Sequence, residues 1–218
     1  KLCSISTQHY AFAVQAFVAL LKTLNENEYE CTLRETRTHE IIEDVRNLRS
    51  EIGILYLSEF NRKVITKLLR DNGLKFYPLF TAKPHVFIGV RHPLADRDML
   101  EMEDLDEYPC LVFEQGEYNS FYFAEEILST RSYRKKISVS DRATLFNLLI
   151  GLNGYTISSG VLNQDVYGGL IRSVRLRTDE EMVIGYIVNQ KTMLSHLAQR
   201  YVAKLKDVVA RAGYELMS

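Results

Sequence analysis

Ile52-Gly53-Ile54-Leu55-Tyr56-Leu57 is a run of six residues with no charge and no polar alternation. A strand with one wet face alternates apolar and polar residues, so an unbroken run predicts a strand covered on both faces, as in a parallel sheet. The flanks agree. Upstream, Thr38 can cap a helix whose buried stripe is Ile41, Ile42, Val45 and Leu48. Downstream, Arg62 to Arg70 has a helical pattern that Asn72-Gly73 stops. Tyr29 to Arg34 alternates as a second strand, with Tyr29, Cys31 and Leu33 on one side. Before it, a stripe of Phe12, Val14, Phe17, Val18, Leu20 and Leu21 follows a short strand, Leu2 to Ile5, and a polar turn, Ser6 to Tyr10. The first 73 residues thus read β-α-β-α-β-α, which implies an α/β fold with a helix-covered parallel sheet.

The same rhythm continues with interruptions. Leu74 to Val90 is strand-like but carries Pro78 and Pro84. Proline removes a ladder hydrogen bond from a central strand, so this stretch marks a sheet edge or a crossing between lobes, with a lobe boundary near Phe80. Strands are expected at Pro109 to Phe113, Lys136 to Val139 and Tyr155 to Ile157. Helices are expected at Phe121 to Leu128 and Ala143 to Leu152, the latter ended near Asn153-Gly154. A turn at Gly168-Gly169 leads to a strand through Ile171, Val174 and Leu176, and Met182 to Val188 follows as another. Leu194 to Val209 is an amphipathic helix with Leu197, Tyr201, Leu205, Val208 and Val209 on one face, suited to lobe packing or to a dimer contact.

Composition narrows the function. Net charge is −1, from 27 Lys+Arg against 28 Asp+Glu, so the basic excess of a nucleic-acid binder is missing. Cys3, Cys31 and Cys110 form no CxxC pair and read as reduced core thiols of a cytoplasmic protein. No apolar run reaches the roughly 18 residues of a membrane span. The chain opens into a strand at Lys1-Leu2-Cys3, without a signal-peptide pattern or an initiating Met, which suggests a piece of a longer protein.

Enzyme signatures are missing: no GxGxxG, GxxxxGK[ST], GxSxG or HExxH occurs, and Ser158-Ser159-Gly160 lacks the glycines of a nucleophile elbow. His9, His39, His85, His92 and His196 are scattered, read as surface or turn residues, and share no metal-ligand spacing. Glu125-Glu126 and Glu180-Glu181 read as solvated faces. What remains is hydroxyls at strand ends: Ser4, Ser6 and Thr7 before the first helix, Ser58 after the third strand, Ser140 and Ser158 in the second half. Open α/β sheets bind ligands outside the carboxyl ends of strands, and a helix start favours an anion. Ordinary helix capping uses the same residues; their recurrence in two halves fits a cleft clamping a small polar ligand.

The order of features resembles the effector-binding domain of LysR-type transcription regulators. Ser4-Ile5-Ser6-Thr7-Gln8-His9-Tyr10 looks like that family's first strand and ligand loop, and Glu51-Ile52-Gly53-Ile54 like its x-D-x-[GA]-I strand. Val86-Phe87-Ile88-Gly89-Val90 before His92-Pro93-Leu94-Ala95 is the most specific match. Gly151-Leu152-Asn153-Gly154-Tyr155-Thr156-Ile157 is similar to a late glycine segment, with Ser158 where proline is common.

The resemblance implies two Rossmann-like lobes joined by two crossing strands, the type 2 periplasmic-binding-protein fold. Residues 1–80 and 179–218 would form lobe I and 81–178 lobe II. It implies an N-terminal winged helix-turn-helix outside this chain as the only DNA contact, and homodimers or, when intact, homotetramers. Neither catalysis, a cofactor, a metal nor a membrane is expected. The ligand would be a small anion, an amino acid or an aromatic acid. Its site maps to Ser4, Ser6, Thr7 and Gln8 in the first lobe, and to Phe113 or Glu114, Ser140 and Ile157 in the second. Ser58 and Ser158 join them as strand-end hydroxyls. A buried Glu114 would favour an amine, whereas His9, Tyr56 and Phe113 would admit an aromatic acid. A periplasmic-type solute-binding protein is the alternative on the same fold, and an enzyme on that fold a third.

Overall fold

The computed structural model describes residues 2–25, 27–161 and 169–218. The first sheet has the order β2-β1-β3-β11-β4. Its strands are β1 (Leu2–Thr7), β2 (Glu30–Glu35), β3 (Ile52–Leu57), β4 (Leu74–Ala82) and β11 (Met182–Asn189). Strand β1 runs parallel to β2 and β3, while β11 runs antiparallel to β3 and β4. Every residue of Ile52–Leu57 is buried, and alternation explains how. Ile52, Ile54 and Tyr56 face a core that includes Phe12, Phe17 and Tyr201 from α1 (Ala11–Lys22) and the last helix, α5 (His196–Arg211). Leu55 and Leu57 face Ile41, Val45, Ile65 and Leu69 from α2 (Thr38–Arg46) and α3 (Arg62–Asp71). Gly53 is glycine because α2 presses on the sheet there: an added Cβ would sit 2.7 Å from Ile41 Cγ2 and 2.9 Å from Val45 Cγ2.

The second lobe carries a sheet of order β6-β10-β5-β9 and a parallel pair, β7-β8, bridged to it at Cys110 and Tyr155. These strands are β5 (His85–Gly89), β6 (Met99–Leu100), β7 (Cys110–Phe113), β8 (Lys136–Val139), β9 (Thr156–Ser158) and β10 (Ile171–Leu176). Helix α4 (Arg142–Leu152) packs Leu145, Phe146 and Leu149 on one face of β7 and β8, through Leu111 and Val139. The chain passes between sheets at Lys83-Pro84 and again between Leu176 and Met182. Pro78 lies on the edge strand β4, and the ladder to β11 shifts register beside Gly185, its partner. Helix α5 buries Leu197, Tyr201, Leu205 and Val209, and the Tyr201 hydroxyl donates to the Ala13 carbonyl at 2.8 Å, so this face packs on lobe I.

Four sequence expectations need correction. Phe121 to Leu128 is not a helix; one 3-10 turn, Phe121–Phe123, ends where Ala124 turns extended (ψ 142), and Leu128 has φ 59. Glu125 and Glu126 are not a solvated face: both are 7% exposed, because each is drawn to a different inward partner. His9 is not a surface histidine, its side chain being 5% exposed against Glu125. Ser158 closes β9 instead of following it, and the two-residue β6 had no pattern long enough to read. Gly168 lies outside the described residues. Cys3, Cys31 and Cys110 are free thiols, and burial pushes those of Cys3 and Cys110 up to about 12. Among the described residues no helix is long and apolar enough to cross a membrane.

Candidate functional site: the gap between the lobes

Lobe I brings to the gap the turn between β1 and α1. Alternation along β1 sends Cys3 and Ile5 into the α1 core, so Ser4 and Ser6 face the α2 side. The buried Ser6 hydroxyl donates to Asp44 at 2.7 Å and shares a 2.7 Å hydrogen bond with Ser50, which uses it inside lobe I. Thr7 is fully buried and donates to the Gln8 carbonyl at 2.7 Å. Gln8 is a cross-brace. Its Oε1 accepts from the Tyr56 amide and the Tyr10 hydroxyl, both at 3.1 Å, and its Nε2 donates to Thr38 Oγ1 at 2.8 Å. Ser58 and Asn61 close a turn on each other after β3. The Tyr56 hydroxyl reaches across to the Ala124 carbonyl at 3.1 Å.

His9 joins the two lobes through both a ring stack and a carboxylate. Its ring stacks on Phe113, with centroids 3.8 Å apart and planes 5° from parallel. Glu125 accepts from the His9 amide at 2.8 Å, and its Oε1 and Oε2 lie 3.0 and 2.8 Å from His9 Nδ1. Burial alone would lower the histidine pKa, but the charge and hydrogen bond of Glu125 outweigh it, so the pKa is raised. The raised pKa stabilises the imidazolium, the form in which both ring nitrogens carry N–H. Nδ1 faces Glu125, and Nε2, buried, has no partner among the described residues.

Two more pairs tie the lobes. Arg142, at the start of α4, grips Glu35 at the end of β2 through Nε at 2.8 Å and Nη2 at 2.7 Å. Arg37 Nε donates to Glu114 at 3.0 Å, and that guanidinium lowers the Glu114 pKa. Glu114 is thus charge-paired within the protein and only partly buried, and the Arg37 guanidinium stands where a ligand amine was expected. Thr38 adds two contacts, its amide donating to Gln115 Oε1 at 3.0 Å and its hydroxyl to the Phe123 carbonyl at 2.7 Å. Behind His9, Glu126 accepts from the Phe113 amide at 3.2 Å; burial first, and the charge of Glu125 second, raise its pKa.

The space these groups enclose is small, about 40 Å³. His9, Phe113 and Arg142 line one part, and Thr156, Ile157 and Ser158 another. Phe87, Leu145 and Phe146 close it with apolar surface. Among the residues expected at the site, Phe113, Ile157 and Ser158 come together here. Ser140 is exposed beside Asp141, which caps α4 by accepting the Thr144 amide at 2.8 Å. The sequence reading missed Glu125, Glu126 and Arg142 as site residues. A charged residue two positions after the expected Ser140 was the available signal for Arg142; consecutive acids gave none. Among the described residues no cluster of His, Cys, Asp and Glu could hold a metal.

A family model described as LysR substrate binding domain matches residues 8–210. No curated protein matches the sequence. Solved structures with the same fold include the regulatory domain of MetR, a LysR family regulator from N. meningitidis. It has 10% identity and a TM-score of 0.66, with 100% of this chain and 98% of that chain covered. The effector binding domain of QuiR in complex with shikimate has 13% identity, TM-score 0.61 and coverage of 97% and 98%. Oxidized Corynebacterium glutamicum OxyR has 14% identity, TM-score 0.64 and coverage of 97% of this chain and 65% of that one.

Proposed function

This chain belongs to the LysR substrate binding domain family, and from that premise we propose that it senses a small effector held between its lobes at His9. The effector presents an acceptor oxygen to His9 Nε2 and lies against Phe113 and Ile157, with the Ser158 hydroxyl at its edge. One observation carries the reading: His9 Nε2, buried in the gap between two lobes, has no hydrogen-bond partner among the described residues. An unmet buried donor costs about 1–3 kcal/mol, more when charged, and a bound acceptor recovers it. Small anions, amino acids and aromatic acids all offer such an oxygen.

A gap of about 40 Å³ holds little more than one or two waters. Binding therefore requires the lobes to part or Phe113 to move. A ligand shifts such an equilibrium only by its different affinity for the two arrangements. The ties at risk are His9–Glu125, Arg142–Glu35 and Arg37–Glu114. In the intact regulator a changed lobe arrangement would reposition DNA-binding domains in a homodimer or homotetramer. The domain itself, at net charge −1, would leave DNA contact to a winged helix-turn-helix.

The test is a thermal-shift screen of small anions, amino acids and aromatic acids on the domain and its His9→Ala variant. A compound at 100 times its dissociation constant adds about 2.7 kcal/mol of stability. The reading expects at least one compound to stabilise the parent and to lose at least tenfold in affinity in the variant. Equal affinity for both proteins would remove His9 from the site.

A further inference from the structure

A larger space adjoins the gap within lobe II. It measures about 320 Å³, within the range of small-molecule pockets, against about 40 Å³ between the lobes. Its origin is a fold-level omission. The pair β7-β8 has two faces. Leu111 and Val139 point to one, which α4 covers. Cys110 and Val112 of β7, with Lys136 and Ser138 of β8, line the cavity on the other. A doubly wound lobe ordinarily lays a helix on such a face. Here the segment crossing it has only the turn Phe121–Phe123, because Glu125 and Glu126 are pulled inward. An irregular roof without a helix side-chain layer leaves the space open.

We propose that this lobe II cavity is a second binding site, for a small aromatic carboxylic acid carrying a ring hydroxyl. Rings offer the walls: Phe113, Tyr133 and Phe121 line it, and Phe121 is 53% exposed, apolar surface that a stacked ring would cover. Lys136 makes no salt bridge among the described residues and supplies the cation for a carboxylate. Buried Glu126 supplies the hydrogen-bonding partner for a hydroxyl. The site is distinct from the gap at His9, yet the two share Phe113, Glu126 and Ile157 as a common wall. Occupancy is therefore felt at the lobe contact: Phe113 is the ring on which His9 stacks, and Glu126 adjoins the glutamate that His9 holds.

The experiment is a titration of the 15N-labelled domain with 4-hydroxybenzoate and with benzoate, followed by amide shifts. Expected are shifts at Val112, Ile127 and Ser138, with 4-hydroxybenzoate binding more tightly than benzoate. Lys136→Gln should weaken both acids about two- to fivefold, as loss of one exposed charge contact does. Ser138→Phe, an exposed change on the same face, should abolish both by filling the mouth. The proposal is overturned by shifts confined to His9, Leu145 and Thr156, by affinities unmoved in Lys136→Gln, or by no shift up to roughly 10 mM acid. Shifts confined to His9, Leu145 and Thr156 would leave the reading of the interlobe gap standing, so the two sites fail separately.

Discussion

Replacing Gln8 should damage the fold more than any surface change of its size. The side chain is 1% exposed and holds three groups from three elements: the Tyr56 amide of β3, the Tyr10 hydroxyl at the start of α1 and the Thr38 hydroxyl of α2. Removing it leaves the Tyr56 N–H and the Tyr10 O–H buried without an acceptor. Each costs about 1–3 kcal/mol, so Gln8→Ala should lose about 2–5 kcal/mol once relaxation is allowed. The Thr38 hydroxyl keeps the Phe123 carbonyl and adds little. Against a total of about 5–15 kcal/mol for a domain, that shifts a denaturation midpoint visibly. Gln8→Met keeps the volume and removes only the polar atoms, so it separates the hydrogen bonds from the cavity. The assay is urea unfolding followed by circular dichroism, with the slope compared across variants. A loss under about 0.5 kcal/mol in both variants, at unchanged slope, would show that Gln8 is not the brace described.

Stability should also depend on pH through His9. Its folded pKa is raised above the unfolded 6.5, so its contribution is complete below 6.5 and is lost as pH rises through the folded value; His9→Gln should flatten that loss in unfolding measured from pH 6 to 9. His85 and His92 slope the other way, since burial lowers their pKa values, and subtracting parent from variant cancels them. Gly53→Ala should cost about 1–3 kcal/mol by thermal unfolding, because its methyl meets Ile41 and Val45 at under 3.0 Å; a neutral result would mean α2 is free to lift. Arg142→Ala leaves Glu35 half-sheltered without its partner and should widen the gap, read as faster hydrogen exchange at residues 142–146 and an increased radius of gyration; unchanged values would mean that pair does not hold the lobes.

The fold was legible where burial leaves a pattern in consecutive residues. Ile52–Leu57 shows its two-faced burial in its lack of polar positions, and Pro78 marks the edge because a ring nitrogen cannot donate. The site was less legible for the same reason reversed. His9 meets Glu125 across 116 positions, and Arg142 meets Glu35 across 107, so no local spacing announces either pair. Of the hydroxyls singled out, Thr7 and Ser158 close strands and Ser58 and Ser140 follow them, whereas Ser4 and Ser6 lie within β1. Ser6, Thr7 and Ser58, however, spend their hydrogen bonds within lobe I, where short polar side chains close turns and caps. The failed helix at Phe121 to Leu128 has the same source: two adjacent glutamates with separate buried partners outweigh local helical preference.

Hydrogen exchange on the domain saturated with the strongest compound from the thermal-shift screen tests most directly whether the effector bridges the lobes. Slowed exchange is expected at residues 9–11 from lobe I together with 113, 142–146 and 156–158 from lobe II. Protection restricted to a single lobe, with the other unchanged, would contradict it.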